Sequence, residues 1–238
     1  MNTRPKTKIQ AEHAVGRKLR PFLAEYLRAI QKTDRLIYQL LASRENKPSN
    51  DRAPVVCAIL LARLSNDLRA CGLLASRGHI LQSWTIGASA LESAYGVGFV
   101  GRSEERAKRW FDHKDLAKAA WPAFDALAAT LRTFDLSSNL ENFFGSYRRL
   151  SAAKHGNPLI QSRYGVSKSK LATRIQVDPH FGRGAARAAR YGIAWTLHGA
   201  GLGMWSYAHY FPTGKPLEQE IAQFARVTLA LAARAREV

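Results

Sequence analysis

Apolar residues recur every three or four positions over most of the chain, which is the spacing of amphipathic helices. No segment has the alternation of a convincing strand, and no internal repeat is present. The pattern therefore predicts an all-α helical bundle. Its clearest stripe lies in residues 9–45 and consists of Leu19, Leu23, Tyr26, Leu27, Ile30, Ile37, Leu40 and Leu41.

Caps and breaks divide this pattern into separate helices. Ser103 is typical of an N-cap because acidic residues follow it, and Ser138 with Glu141 has the spacing of a capping box. Residues 178–179, Asp-Pro, have the composition of a helix start, and residues 157–178 before the new helix read as a basic loop. The predicted helices cover residues 9–45, about 54–76, 79–100, a segment after Ser103 that is interrupted near 121–122, 138–155, 179–211 and 216–236.

Length and composition favour one domain over residues 1–238, because a hydrophobic fraction of 46% is ordinary for a globular protein. Cys57 and Cys71 cannot make a disulfide framework, and no C-x-x-C pair is present. Residues 1–10 are basic but lack an apolar core, so we expect no secretory signal and a cytoplasmic protein.

The chain is strongly basic, with 36 Lys and Arg against 18 Asp and Glu and a formal net charge of +18. Such a field attracts phosphates, acidic proteins and anionic membrane surfaces. The charge alone leaves open a merely solvated basic surface, contact with nucleic acid, and a membrane surface. The side chains that we expect to contact nucleic acid are Lys154, Arg163, Lys168, Lys170 and Arg174.

One segment, residues 191–211, is close to the length that crosses a membrane. It contains His198, His209 and three closely spaced glycines. Small residues also allow close helix packing in a bundle, so a buried core helix is the favoured interpretation. We therefore predict no stable membrane insertion.

Residues 147–158 carry the clearest candidate chemistry. Arg148 and His155 are seven residues apart, which places them within about 20° on one helix face, and Ser151 shares that face. Arg149 points about 120° away from His155 on a regular helix. A histidine can move a proton near neutral pH, and an arginine can stabilise charge on a phosphate. This pair suits cleavage of RNA, in which the 2′-hydroxyl is the nucleophile and no catalytic metal is required.

Other chemistry is less well supported by the residue pattern. No two histidines have the i, i+4 spacing of a helical zinc site, and acidic residues do not cluster near them. A nucleophile elbow, a P-loop and a dinucleotide fingerprint are absent. We therefore predict neither a metal nor a cofactor.

The Arg-x(4–6)-His spacing at the end of a helix resembles the HEPN superfamily of helical nucleases and nucleotide-binding domains. Arg148 and Arg149 both satisfy that spacing with His155. The chain is similar to a bacterial HEPN-like branch over about residues 55–160. The stretches that carry the similarity are 78–92, 105–110 and 147–158.

This resemblance implies a HEPN-like antiparallel helical bundle with a core at about 55–160 and additional helices at 9–45 and about 179–236. It also implies a metal-independent endoribonuclease that acts as a homodimer, with the Arg and His motifs of two subunits facing each other. Such proteins often serve in toxin–antitoxin or antiviral systems, so the expected partners are RNA and an antitoxin or another regulatory protein.

Carried over to this chain, the resemblance makes His155 the general acid or base and Arg148 or Arg149 the phosphate stabiliser. The polar residue expected after the motif Arg favours Arg148, because Arg149 is followed by Leu150. Glu92 is interpreted either as a residue that orients the Arg or His, or as an ion-pair partner of an arginine. The alternative for the whole chain is a non-catalytic helical module that binds nucleic acid or a partner protein, with His155 buried or capped by its own loop.

Overall fold

The computed structural model describes residues 7–43, 51–115, 120–157, 166–168, 173–175 and 184–236. Helices dominate these residues, and the predicted all-α class is confirmed. The elements in chain order are α1 (Lys8–Ala42), α2 (Arg52–Ser76), α3 (Ile80–Val100), α4 (Glu104–Phe111), α5 (Ala123–Thr133), a 3₁₀ turn (Ser137–Asn139), α6 (Leu140–Lys154), β1 (Val166–Lys168), β2 (Thr173–Ile175), α7 (Ala185–Tyr210) and α8 (Lys215–Arg236). The two short strands, β1 and β2, thus lie between α6 and α7.

Helix α3 lies at the centre of the bundle and packs against α2, α5, α6 and α7. It is apolar on nearly all sides, as a helix surrounded by others must be, and its Trp84, Leu91 and Tyr95 are buried. Helix α7 is buried along most of its length in the same way. These two helices supply much of the hydrophobic core on which α6, the carrier of the candidate site, is packed.

Helix α1 runs continuously through Pro21 and is joined to α8 by ion pairs at two levels. Arg234 Nη2 lies 2.7 Å from Glu25 Oε1. About two turns further along α1, Lys32 Nζ lies 3.2 Å from Glu220 Oε1. Because these side chains are partly exposed, each pair contributes at most about 1 kcal/mol, and the buried stripe of α1 dominates its attachment.

Three predictions about local structure are wrong. The helix after Ser103 ends at Phe111, well before the interruption expected near 121–122. Residues 166–175 contain an antiparallel pair, in which Ser167 lies opposite Arg174, instead of only loop. The capping box of Ser138 and Glu141 is absent, because Ser138 lies in the 3₁₀ turn and α6 begins at Leu140 without a side-chain cap. The predicted helix start at 178–179 lies outside the described residues, and the described part of that helix begins at Ala185.

Residues 191–211, the stretch closest to membrane length, form most of α7 and are packed between other helices of the bundle. Among the described residues, no helix is both long and apolar enough to cross a membrane.

The N-terminus of α2 is capped by a carboxylate from a different helix. Asp51 at the N-cap makes no side-chain capping bond. Instead, Glu104 of α4 accepts hydrogen bonds from the backbone N–H groups of Arg52, at 2.8 Å, and Ala53, at 3.0 Å. The first N–H groups of a helix have no partner within the helix, and its N-terminus favours negative charge. Glu104 therefore supplies acceptors for the unpaired N–H groups at the start of α2, and it links α4 to α2.

We expect Glu104→Ala to lower the free energy of unfolding by about 0.5–2 kcal/mol, the usual cost of losing an N-cap. Urea unfolding followed by circular dichroism measures this change. The matched control is Glu105→Ala, which removes an exposed carboxylate from the same turn. Equal losses from both variants would contradict the capping role.

Candidate functional site

Helix α6 positions the candidate site because its two faces differ. Its inner face buries Phe143, Leu150 and Ala153 against the core, at the spacing of a helix stripe. The opposite face leaves Arg148 and His155 exposed. His155 is the C-cap residue, and Gly156 follows it with a φ of +63°, a left-handed conformation that glycine adopts without steric cost.

Arg148 and His155 line the same open depression, as their seven-residue spacing predicts. Its volume is about 680 Å³, and its lining is completed by Gly145, Tyr147, Ser151, Ala152 and Asn157. In the described part of the chain, neither the Arg148 guanidinium nor the His155 imidazole makes a side-chain hydrogen bond or ion pair. Both groups are therefore accessible to an anionic ligand in this depression.

Arg149 lies elsewhere, in keeping with the predicted divergence of about 120°. Its guanidinium lies over the ring of Tyr191 on α7, 5.0 Å from the ring centroid. That distance is typical of a cation–π contact. The structure thus brings Arg148, and not Arg149, together with His155 in the depression.

Glu92 contacts α6, although through residues other than those named from the sequence. Its Oε1 accepts a hydrogen bond from the Tyr147 hydroxyl at 2.9 Å. Lys154 Nζ lies 3.1 Å from Oε1 and 3.2 Å from Oε2. Among the described residues, these bonds join Glu92 to a tyrosine and a lysine rather than to an arginine or to His155. Glu92 therefore links α3 to α6 through Tyr147 and Lys154.

The Glu92 carboxylate also affects Tyr147. Burial raises the pKa of Tyr147 to about 12, and the nearby charge of Glu92 acts in the same direction. The phenol therefore stays protonated at neutral pH and remains a hydrogen-bond donor to Glu92. It serves as a fixed wall of the depression and not as a proton acceptor.

The structure describes only some of the residues that we expect to contact nucleic acid. Lys154 is at the end of α6 and pairs with Glu92. Lys168 and Arg174 belong to β1 and β2, where the backbone alone is described. Arg163 and Lys170 lie outside the described residues.

The cysteines and the metal-binding side chains do not form a competing site in the described residues. Cys57 and Cys71 are buried, and burial raises the pKa of Cys71 to about 11 and that of Cys57 still further. Such thiols are poor nucleophiles, because the thiolate is the reactive form. Within the described ranges, no three His, Cys, Asp or Glu side chains gather into a group that could hold a metal ion.

Comparisons with protein-family models, with curated proteins and with solved structures find no match to this chain.

Proposed function

We propose that this protein is a metal-independent endoribonuclease of HEPN type that acts at the Arg148–His155 depression. One observation supports this proposal above all. Arg148 and His155 lie on one helix face, and both are accessible in the same open depression. A phosphate seated there would meet a fixed positive charge and a proton-transfer group together, and cleavage assisted by a 2′-hydroxyl uses both.

In this mechanism the 2′-oxygen of a ribose attacks the adjacent phosphorus, and the bond from phosphorus to the 5′-oxygen breaks. His155 either accepts the proton from the 2′-hydroxyl or donates one to the departing 5′-oxygen. Arg148 binds the non-bridging oxygens, on which negative charge grows in the transition state. The products are a 2′,3′-cyclic phosphate and a 5′-hydroxyl.

A homodimer fits this chemistry because the reaction needs both a base and an acid. With the two depressions facing each other, His155 of one subunit would take the first proton and His155 of the other would give the second. Each subunit would also add an Arg148 to the same phosphate. The dimer follows from the HEPN resemblance, as does a role in a toxin–antitoxin or antiviral system under an antitoxin or another regulatory protein.

The competing interpretation is a helical module that binds nucleic acid or a protein without cleaving it. That interpretation expects His155 to be buried or capped by its own loop. The exposed position of His155 favours the catalytic proposal. The net charge of +18 supports contact with RNA under either interpretation.

The test is cleavage of RNA in excess EDTA by the purified full-length chain. We expect fragments that end in 2′,3′-cyclic phosphate from RNA, and no fragments from the same strand carrying 2′-O-methyl groups. Cleavage of the methylated strand, or cleavage that EDTA stops, would contradict the mechanism. Retention of RNA in a mobility-shift assay without any cleavage would favour the non-catalytic module.

A further inference from the structure

A second cavity opens beside the candidate site and is rich in aromatic side chains. It lies between α2, α3, α4 and the start of α5, with a volume of about 550 Å³. Its wall toward α6 is formed by Tyr147, which also lines the Arg148–His155 depression. We name it the aromatic groove; the described residues that line it are Leu60, Arg63, Glu92, Ser93, Trp110, Phe111, His113, Ala120, Trp121, Pro122, Ala123 and Tyr147.

The rings of the aromatic groove are held by packing and still present accessible surface. Phe111 is 48% exposed, and its ring lies edge-on to Trp110 with 5.4 Å between centroids. Trp121 is fixed on the other side by Phe99, at 5.4 Å. A neighbouring ring thus fixes the orientation of each of these side chains. A planar ligand can therefore stack on a ring that is already ordered.

The aromatic groove also contains polar side chains that can bind the charged and hydrogen-bonding groups of a ligand. Arg63 donates a hydrogen bond to Ser89 Oγ at 2.9 Å, and its Nε lies 3.6 Å from Asp67 Oδ2, but its side chain is still 61% exposed. Glu92, fixed by Tyr147 and Lys154, contributes a carboxylate that accepts hydrogen bonds. This combination of stacking faces, a cation and a hydrogen-bond acceptor differs from the purely apolar lining of a lipid site.

We propose that the aromatic groove binds the unpaired bases of a single-stranded RNA whose neighbouring phosphate lies at Arg148 and His155. This inference rests on the proposed function and specifies its substrate class. The two cavities share Tyr147, so one strand can follow from the first into the second. Base stacking on aromatic side chains is the usual device of proteins that bind single strands, and it is denied to a duplex whose bases are already stacked.

The test is fluorescence anisotropy of a labelled short oligodeoxyuridine strand and of a matching abasic deoxyribose-phosphate strand. Neither strand has a 2′-hydroxyl, so neither can be cut by the proposed mechanism and the assay reads binding alone. We expect wild-type protein to bind the strand with bases more tightly. Phe111→Ala should weaken that binding about tenfold and leave binding of the abasic strand unchanged.

The matched control is Phe22→Ala, which removes a phenylalanine of similar exposure, 53%, from α1. It should change neither affinity. Equal weakening of both strands by Phe111→Ala, or no weakening of either, would overturn the proposal, as would absence of binding to the strand with bases.

A second measurement locates the bases without relying on a substitution. In ¹⁵N-labelled protein, the indole signals of Trp110 and Trp121 should shift on addition of oligodeoxyuridine, whereas that of buried Trp84 should not. Shifts confined to other tryptophans would overturn the proposal. If binding maps to the aromatic groove but RNA is not cleaved in EDTA, the groove stands and the endoribonuclease proposal fails.

Discussion

Replacing His155 by alanine is expected to lower the rate of metal-free RNA cleavage by about 10²- to 10⁴-fold, the usual contribution of a general acid or base. His155 lines the depression beside Arg148, and its exposed position at the end of α6 means that its loss leaves the core intact. The initial rate on a fixed RNA in excess EDTA measures the effect. The midpoint of thermal unfolding should stay close to that of wild type.

The two neighbouring arginines supply a matched pair for the same assay. Arg148→Ala should also cause a large loss of rate, because it removes the cation in the depression. Arg149→Ala removes an equal charge from a guanidinium that lies over Tyr191 and should affect the rate far less. Equal losses from both variants would show that net charge alone matters. Full activity of His155→Ala would exclude this residue from the chemistry.

Replacing Gly98 by alanine is expected to lower the free energy of unfolding by about 1–3 kcal/mol through overpacking. Gly98 lies on α3 directly against α5, and a Cβ added there would come within 2.8 Å of the Thr130 Cβ. Thr130 is fully buried, and its hydroxyl donates to the carbonyl oxygen of Ala126 at 2.8 Å, so the threonine cannot simply turn away. The clash therefore outweighs the gain of about 1 kcal/mol that alanine brings to a helix.

Gly145→Ala is the control, because a Cβ at this α6 position would meet nothing within 4 Å. It should raise the free energy of unfolding by about 0.5–1 kcal/mol. Urea unfolding of both variants makes the comparison. Combining Gly98→Ala with Thr130→Ala should cost less than the sum of the two single changes, since the second removes much of the clash. Stabilisation by Gly98→Ala would mean that α3 and α5 are less closely packed than described.

Much of the fold follows from local signals. The helices at about 54–76 and 79–100 were predicted from their apolar pattern and breaks, and they begin and end within a few residues of α2 and α3. The predicted N-cap Ser103 accepts a hydrogen bond from the N–H of Arg106. The pair β1 and β2 was missed because strands of three residues are too short to show an alternating pattern.

The sequence predicted one part of the candidate site correctly and missed another, because one part depends on local helix geometry and the other on a contact between distant helices. The placement of Arg148 with His155 follows from seven residues of one helix, and helix geometry is regular over that distance. The contact of Glu92 with Tyr147 joins α3 to α6 over 55 positions of sequence. No spacing rule reaches that far, so the sequence suggested an arginine or histidine partner where the fold supplies a tyrosine and a lysine.

The sequence by itself determined the helical class, the approximate extent of the main helices and the shared face of Arg148 and His155, because each depends on hydrogen bonds and periodicity within a few turns. Only the tertiary structure decided that Arg149 lies over Tyr191, that Glu104 caps α2, and that the aromatic groove adjoins the depression at Tyr147. These contacts arise when helices distant in sequence pack together, and the packing depends on the shapes of many side chains at once.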